Sequence, residues 1–213
     1  MNVASGLRER KKEQTRRAIL DAAQRLFAER GFDGVTVADV AREAEVSVGT
    51  VFNYFPAKED LFYGRMEDFE ASLVAAVRAR SAGESVLSAF RRSVLEGAGR
   101  LADPERAELI ARVARTVGAS AALQAREREF VARATAALAE AIAEETSPQG
   151  EVLEPSVVAN ALMGVQRALV AQVHASVLAG IRGRRLAVDV RALGEKAFAV
   201  LERGLADYGV RER

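Results

Sequence analysis

The chain has 213 residues, of which 49% are hydrophobic and 29% charged, and its formal net charge is +1 at pH 7. That length and composition are typical of a globular protein with one large domain or two smaller ones, and they exclude a largely disordered chain. Because it contains no cysteine and one histidine, His174, the sequence excludes disulfides, thiolate metal sites and multi-histidine metal sites, so we expect no metal and no cofactor.

The first residues lack the apolar stretch of a secretory signal, because Leu7 is followed at once by the charged run Arg8 to Lys12. We therefore expect a cytoplasmic protein. Residues 1–20 contain six basic and two acidic side chains, whereas residues 21–60 contain four basic and eight acidic ones. The near-neutral total conceals a local basic segment, which we interpret as a flexible arm leading into the first helix.

Three helices are predicted within residues 1–56. The first carries apolar residues at helical spacing, namely Ile19, Ala22, Ala23, Leu26 and Phe27. It ends at Gly31, where glycine supplies a positive φ. The second is capped by Thr36 and runs from about residue 37 to residue 44. The third is capped by Ser47 and ends at Phe55, because the proline that follows keeps Phe55 out of the helical region.

The third helix separates its side chains by polarity when successive residues are turned by about 100°. The two faces are a polar set, Gly49, Thr50, Asn53 and Tyr54, and an apolar set, Val48, Val51, Phe52 and Phe55. We expect the whole apolar set, Phe52 included, to be buried. Two short helices joined by a tight turn, the second with an outward polar face, are typical of a helix-turn-helix that places its second helix in the major groove of double-stranded DNA.

Each polar position then has a candidate role in DNA binding. Asn53 can read adenine, and Thr50 can reach a base edge or a thymine methyl group. Gly49 lets the backbone approach a phosphate, and Tyr54 and Lys58 can reach the sugar–phosphate backbone. The candidate DNA-binding residues are Arg16, Arg17, Thr36, Ser47, Val48, Gly49, Thr50, Asn53, Tyr54 and Lys58. The alternative is an ordinary helical corner whose polar face is merely solvated.

The amino-terminal third of the chain resembles the DNA-binding domain of the TetR (tetracycline-repressor-like) family of bacterial transcriptional regulators. The resemblance rests on VSVGTVFNYFPAKEDLF, residues 46–62, and on the upstream residues 19–23, 26–27, 31–32 and 36–41. Many relatives carry tyrosine in place of Phe52. The outer face of the third helix is polar and uncharged, whereas several relatives place an arginine or histidine beside the tyrosine there, and this second difference leaves the operator sequence open. The resemblance implies an all-α fold, a homodimer and a variable domain that binds a small-molecule effector, most relatives being repressors that the effector releases from DNA.

The remainder of the chain is predicted to be helical as well, with no strand-like alternation. A long helix is expected from about Lys58 to Arg78, and about five more follow. The breaks between them are predicted at residues 81–83, 103–104, 118–120, 146–155 and 180–183. The prediction is an all-α chain of about nine helices, divided into a helix-turn-helix DNA-binding domain over residues 1–60 and a larger effector-binding and dimerisation domain over residues 61–213.

Residues 155–181 carry one formal charge, Arg167, over a length that can span a bilayer. Polar residues interrupt the segment at Asn160, Gln166, Gln172, His174 and Ser176. A buried helix is therefore the preferred interpretation, and we expect no membrane partner.

We expect the two carboxy-terminal helices to form the homodimer seam. The earlier one carries Leu162, Val165, Leu169 and Val173 on one side and Asn160, Gly164, Arg167, Ala171 and His174 largely on the other, and which face forms the seam is left open. The later one has a single apolar stripe, Leu193, Ala197, Val200, Leu201, Leu205 and Tyr208.

A pocket for an unidentified effector is harder to locate from sequence. Its candidate lining residues are Phe90, Val94, Arg112, Thr116, Phe130, Leu162, Gln166, Leu169 and His174. Each of them also fits a role in the core or at the surface. With no second histidine or cysteine, His174 fits a core or interface position better than a metal site.

The sequence thus predicts a ligand-responsive, sequence-specific DNA-binding transcriptional regulator, a repressor released from a palindromic operator by a small molecule. An enzyme is the first alternative, and it is disfavoured because no nucleophile–base–orienter set is recognisable. A DNA-binding architectural protein without an effector is the second.

Overall fold

The computed structural model describes the backbone over residues 3–146 and 153–205 and the side chains over residues 10–64, 68–146 and 153–204. Every regular element in these ranges is helical, which confirms the predicted fold class and the count of about nine helices. The α-helices are α1 (Val3–Arg30), α2 (Val37–Glu43), α3 (Val48–Tyr54), α4 (Lys58–Arg78), α5 (Val86–Gly99), α6 (Pro104–Ala119), α7 (Ala121–Thr146), α8 (Leu153–Leu178) and α9 (Gly183–Leu205), with a short 3₁₀ helix, Arg100–Ala102, after α5.

The chain divides into two compact units, Met1–Asp68 and Phe69–Arg213. The division falls within α4, whereas the sequence predicts it near residue 60, close to the start of that helix. The first unit contains α1 to α3, and the second contains α5 to α9.

The first unit is built around one apolar cluster to which each of its helices contributes. Helix α1 contributes Ile19 and Leu26, α2 contributes Val40, α3 contributes Val51 and α4 contributes Leu61, and none of the five is more than 4% exposed. Three helices and the start of a fourth thus hold one another in place.

The turn after α1 forms as the sequence predicts. Gly31 has a φ of 74°, the left-handed region that favours glycine, and its N–H donates to the carbonyl of Phe27 at 3.0 Å. Phe32 folds back over the helix end, with its ring centroid 5.3 Å from that of Phe27.

The basic amino-terminal segment is helical where the structure describes it, so the prediction of a flexible arm was wrong. Helix α1 begins at Val3 and includes Arg16 and Arg17. Arginine, lysine, glutamate and glutamine are good helix formers, and Arg17 Nε donates to Glu13 Oε1 at 2.7 Å, one turn earlier. The side chain of Arg8 lies outside the described residues.

The second unit has two apolar clusters, and α8 contributes to both. The larger cluster contains Leu73, Val77, Phe90, Leu138, Leu162 and Phe198, and the smaller one contains Leu101, Ala107, Ala111, Val177 and Leu186. Within the chain this helix is buried along one side, through contacts with both clusters. The preferred interpretation of residues 155–181 as a buried helix therefore applies to that side. Among the described residues, no helix is both long enough and apolar enough to cross a membrane.

The predicted break at Asp103-Pro104 is also present. Asp103 Oδ1 accepts the N–H of Glu105 at 2.9 Å, and Pro104 occupies the first turn of α6, where its missing N–H is not needed. Ser85 caps α5 in a similar way, because its Oγ accepts the N–H of Ser88 at 3.2 Å.

Candidate functional site

Helix α2 begins in a reciprocal cap, which confirms the capping role predicted for Thr36. Thr36 Oγ1 accepts the N–H of Asp39 at 3.1 Å, and Asp39 Oδ2 accepts the N–H of Thr36 at 3.0 Å. Hydrogen bonds from the hydroxyl and amide of Thr36 hold the pKa of Asp39 below its ordinary value of 3.8, and Arg42 adds to the effect. The Asp39 carboxylate is therefore charged at neutral pH and fixes the start of α2.

A tight turn of residues 44–46 joins α2 to α3. Glu45 has a φ of 55°, in the left-handed region, and the N–H of Val46 donates to the carbonyl of Ala41 at 2.9 Å. The turn redirects the chain at once, and α3 packs against α2. This arrangement is the helix-turn-helix that the sequence predicts.

Helix α3 is bounded by a cap at its start and a proline after its end. Ser47 Oγ accepts the N–H of Thr50 at 3.0 Å and lies 2.8 Å from Thr50 Oγ1. Phe55 follows the helix with a φ of −135° and a ψ of 96°, because Pro56 excludes a helical conformation there. The helix is therefore limited to seven residues.

The exposed face of α3 differs from the predicted one. Val51 and Phe55 are buried as expected, but Phe52 is 47% exposed and Val48 is 40% exposed, so their predicted burial was wrong. Val51 and Phe55 pack into the core of the first unit, and the neighbouring Tyr54 is half-buried against it. Relative to the polarity pattern, the buried sector is therefore shifted away from Val48 and Phe52 and towards Tyr54.

Six of the candidate DNA-binding residues lie on α3 or its cap: Ser47, Val48, Gly49, Thr50, Asn53 and Tyr54. Gly49 and Asn53 are exposed side by side, one turn apart, and Thr50 is half-buried. A Cβ added at Gly49 would meet only Ser47 Oγ, at 3.8 Å, so nothing inside the protein requires glycine there. Because glycine destabilises a helix by roughly 0.5–1 kcal/mol relative to alanine, its presence at an open position favours close approach by another molecule.

Basic candidates border α3. Lys58, the first residue of α4, holds its Nζ 4.2 Å from the ring centroid of Phe32. Arg16 lies 5.6 Å from the ring centroid of Phe55 and pairs with Asp68 at 3.1 Å. The guanidinium of Arg16 therefore packs on one of the two side chains that anchor α3.

The candidate effector residues of the second unit are divided between core and surface. Four lie in the larger apolar cluster: Phe90, Val94, Leu162 and Leu169. Phe130 is buried on α7 and has the guanidinium groups of Arg126 and Arg133 at 5.5 Å and 4.5 Å from its ring centroid. Arg112 is exposed, and its carbonyl accepts the hydroxyl hydrogen bond of Thr116 at 3.0 Å.

Two polar side chains of α8 complete the predicted set. Gln166 is 8% exposed, and its Oε1 accepts no hydrogen bond from any described residue. An unmatched buried acceptor costs about 1–3 kcal/mol, so a hydrogen-bond donor that reached this oxygen would be stabilising. His174 is half-buried, and burial lowers its pKa below 6.5, although the carboxylate of Glu127 acts in the opposite direction.

Comparison with known proteins identifies the first unit. Residues 19–63 match the family model of bacterial regulatory proteins, tetR family, a stretch that contains the capped α2, the turn and α3. The helix-turn-helix of the first unit is thus similar to that of the tetR family of bacterial regulatory proteins.

Two curated transcriptional regulators match over part of their length. The HTH-type transcriptional regulator TcmR of Streptomyces glaucescens is 33% identical over 100 residues, which cover 47% of this chain and 44% of that one. The HTH-type transcriptional repressor AcnR of Corynebacterium glutamicum is 34% identical over 106 residues, which cover 50% and 49%. The match thus spans about half the length of these relatives or less.

The TetR fold extends through the second unit. The structure of FadR from Thermus thermophilus, a TetR-family repressor in complex with lauroyl-CoA, matches with a TM-score of 0.51 and 23% identity. The match covers 89% of this chain and 94% of that one, and at this identity it shows a common fold.

We predict that Gly49→Ala stabilises the free protein and weakens its binding to DNA. Alanine stabilises a helix by up to about 1 kcal/mol where space is open, whereas its methyl group obstructs a molecule packed against α3. Thermal unfolding and a DNA titration measure the two effects. The matched control is Gly118→Ala on α6, where an added Cβ also meets open space; it should stabilise the protein without changing DNA affinity. If Gly49→Ala binds DNA like the wild type, close approach is not the reason for this glycine.

Proposed function

We propose that the protein is a cytoplasmic, ligand-responsive transcriptional repressor rather than an enzyme. It binds a palindromic operator as a homodimer and leaves it when a small molecule binds to the second unit. The exposed, uncharged face of α3 is the observation that carries the proposal. With Gly49 open to close approach and Asn53 exposed, this face offers groups that can read bases.

Exposed apolar stripes on the last two helices support a homodimer. The side of α8 that carries Leu162, Leu169 and Val173 is buried within the chain, which leaves the opposite side for a partner. That side presents a stripe of apolar and small exposed or half-buried residues: Val157, Ala161, Gly164, Ala168, Ala171, Ala175 and Leu178. On α9, Val200 is 72% exposed and lies on one stripe with Leu193 and Ala197, whereas Tyr208 lies outside the described residues. Small side chains permit close helix packing, so a second copy of α8 and α9 fits these stripes.

The unmatched Oε1 of Gln166 supports an effector site in the second unit. It lies on α8 between Leu162 and Leu169, which belong to the larger apolar cluster. An apolar surround with a few polar groups is the usual composition of a ligand site. The repressor AcnR and the acyl-CoA complex of FadR support repression and effector control as the family's mode of action.

We predict that base reading and phosphate binding can be separated by mutation. Selection from random duplexes should return an inverted repeat, and Asn53→Ala should relax the preference at one position per half-site, at a cost of about 1–3 kcal/mol. Lys58→Ala should lower the affinity for operator DNA and for random DNA by similar factors, and the affinity should depend less steeply on salt concentration. Fluorescence anisotropy at several salt concentrations measures both. Equal losses on operator and random DNA for Asn53→Ala would exclude this residue from base reading.

We predict that the wild type is a dimer by light scattering at micromolar concentration and that Val200→Glu is a monomer. A carboxylate in the seam would have to be buried without a partner, which is strongly unfavourable. Leu109→Glu on α6 is the matched control, because Leu109 is 43% exposed but lies on neither seam helix. A monomeric wild type, or a dimeric Val200→Glu variant, contradicts the proposed seam.

We predict that an effector found by thermal-shift screening of metabolites depends on Gln166. Gln166→Met removes an unmatched acceptor, so it should stabilise the free protein by about 1 kcal/mol while reducing the stabilisation by the effector. Gln172→Met, at an exposed position of the same helix, loses a long 3.4 Å hydrogen bond to Ser176 Oγ, so it should not stabilise the free protein, and it should leave the stabilisation by the effector unchanged. Undiminished stabilisation of Gln166→Met by the effector would place the site elsewhere, and the absence of any stabilising metabolite favours the architectural alternative.

A further inference from the structure

The exposed face of α3 contains an apolar row that the proposed function leaves unexplained. Val48 and Phe52 are separated by one helical turn and are 40% and 47% exposed. Neither belongs to the apolar cluster of the first unit, whose contacts with α3 go through Val51, Phe55 and the half-buried Tyr54. The row is therefore not part of the folding core.

The apolar row lies directly beside the polar one. Gly49 precedes Phe52 by three residues and Asn53 by four, so it neighbours both side chains on the exposed surface of the helix. Any molecule that approaches Gly49 closely enough to meet Asn53 also meets Phe52. No charged residue occurs within α3.

The chemistry of Phe52 restricts what it can contact on DNA. A phenyl ring has no hydrogen-bond donor and no charge, so it cannot bind phosphate or pair with a polar base edge. In the major groove the apolar group available to such a side chain is the C5-methyl of thymine. Burying that methyl against a ring removes apolar surface from water on both partners.

We propose that Phe52, with Val48 one turn before it, reads thymine methyl groups in the operator, beside the base pair that Asn53 contacts. This inference rests on the proposed DNA-binding function and adds a specificity determinant to it. Each half-site then contains a thymine whose methyl group, rather than its hydrogen-bonding edge, contributes to recognition.

Replacing thymine by deoxyuridine tests the inference, because this change removes the methyl group and keeps the hydrogen-bonding groups. In the duplex selected by the wild type, each thymine is replaced in turn in one half-site and then in both. At one or two positions we expect a loss of about fourfold in affinity per half-site and more than tenfold for both, as for one buried methyl group. Anisotropy titrations give the dissociation constants.

The same duplexes are then titrated with Phe52→Ala and Asn53→Ala. The affinity of Phe52→Ala for the thymine operator should fall to the affinity of the wild type for the deoxyuridine operator. Removing the methyl group should then have no further effect on Phe52→Ala. With Asn53→Ala the methyl effect persists. Thermal unfolding checks that Phe52→Ala is folded, which we expect because the side chain lies outside the core.

Three results overturn the inference: half-sites without thymine, affinity insensitive to deoxyuridine at every position, or a methyl effect of equal size in wild type and Phe52→Ala. Each of these leaves the proposed function intact, because the wild type still selects an inverted repeat. A wild type that selects no sequence at all refutes the proposed function and the inference with it.

Discussion

The surface that α3 presents depends on how a helix of seven residues is held in place. A helix this short is not stable in water by itself, because nucleation costs more than a few hydrogen bonds return. Val51 and Phe55, one turn apart, bury their side chains in the core of the first unit, and Ser47 satisfies a free amide group at the helix start. Since two anchors on one side suffice, the opposite side is free of structural requirements and can be adapted to a partner.

The ends of the short helices could be predicted from sequence because local chemistry determines them. The caps Thr36 and Ser47, the glycine turn at residue 31 and the proline after Phe55 act through the backbone within a few residues. The rotation of α3 could not be predicted in the same way. It depends on which side chains the neighbouring helices accept, and Phe52 sat at the edge of the apolar arc next to Gly49. That position was the sequence signal of its exposure. In the structure the core contacts Tyr54 instead of Phe52.

The second unit shows the same division between local and tertiary information. Several of its helix breaks could be predicted, since Asp103-Pro104 and the glycines with positive φ, Gly83, Gly180 and Gly183, act locally. The candidate effector residues required knowledge of packing: Phe90 and Leu162 are core residues, Arg112 is at the surface, and Gln166 is distinguished only by an acceptor that the described residues leave unmatched. A sequence cannot indicate a missing hydrogen-bond donor, because the donor's absence is a property of the surrounding helices.

Arg16 and Arg17, two basic residues of the first unit, differ in the contacts that they make within the protein. The side chains of Arg17 and Glu13 are 73% and 46% exposed, and such a pair contributes at most about 1 kcal/mol, so a phosphate can replace Glu13 at little cost. Arg16 is 22% exposed, pairs with Asp68 and covers the ring of Phe55, so withdrawing it would uncover an anchor of α3. Arg17 is therefore better placed to meet a phosphate, and Arg16 to keep α3 in position. Because α3 itself carries no charge, the proposed function assigns discrimination between sequences to its uncharged groups, and attraction common to all DNA to the surrounding basic residues.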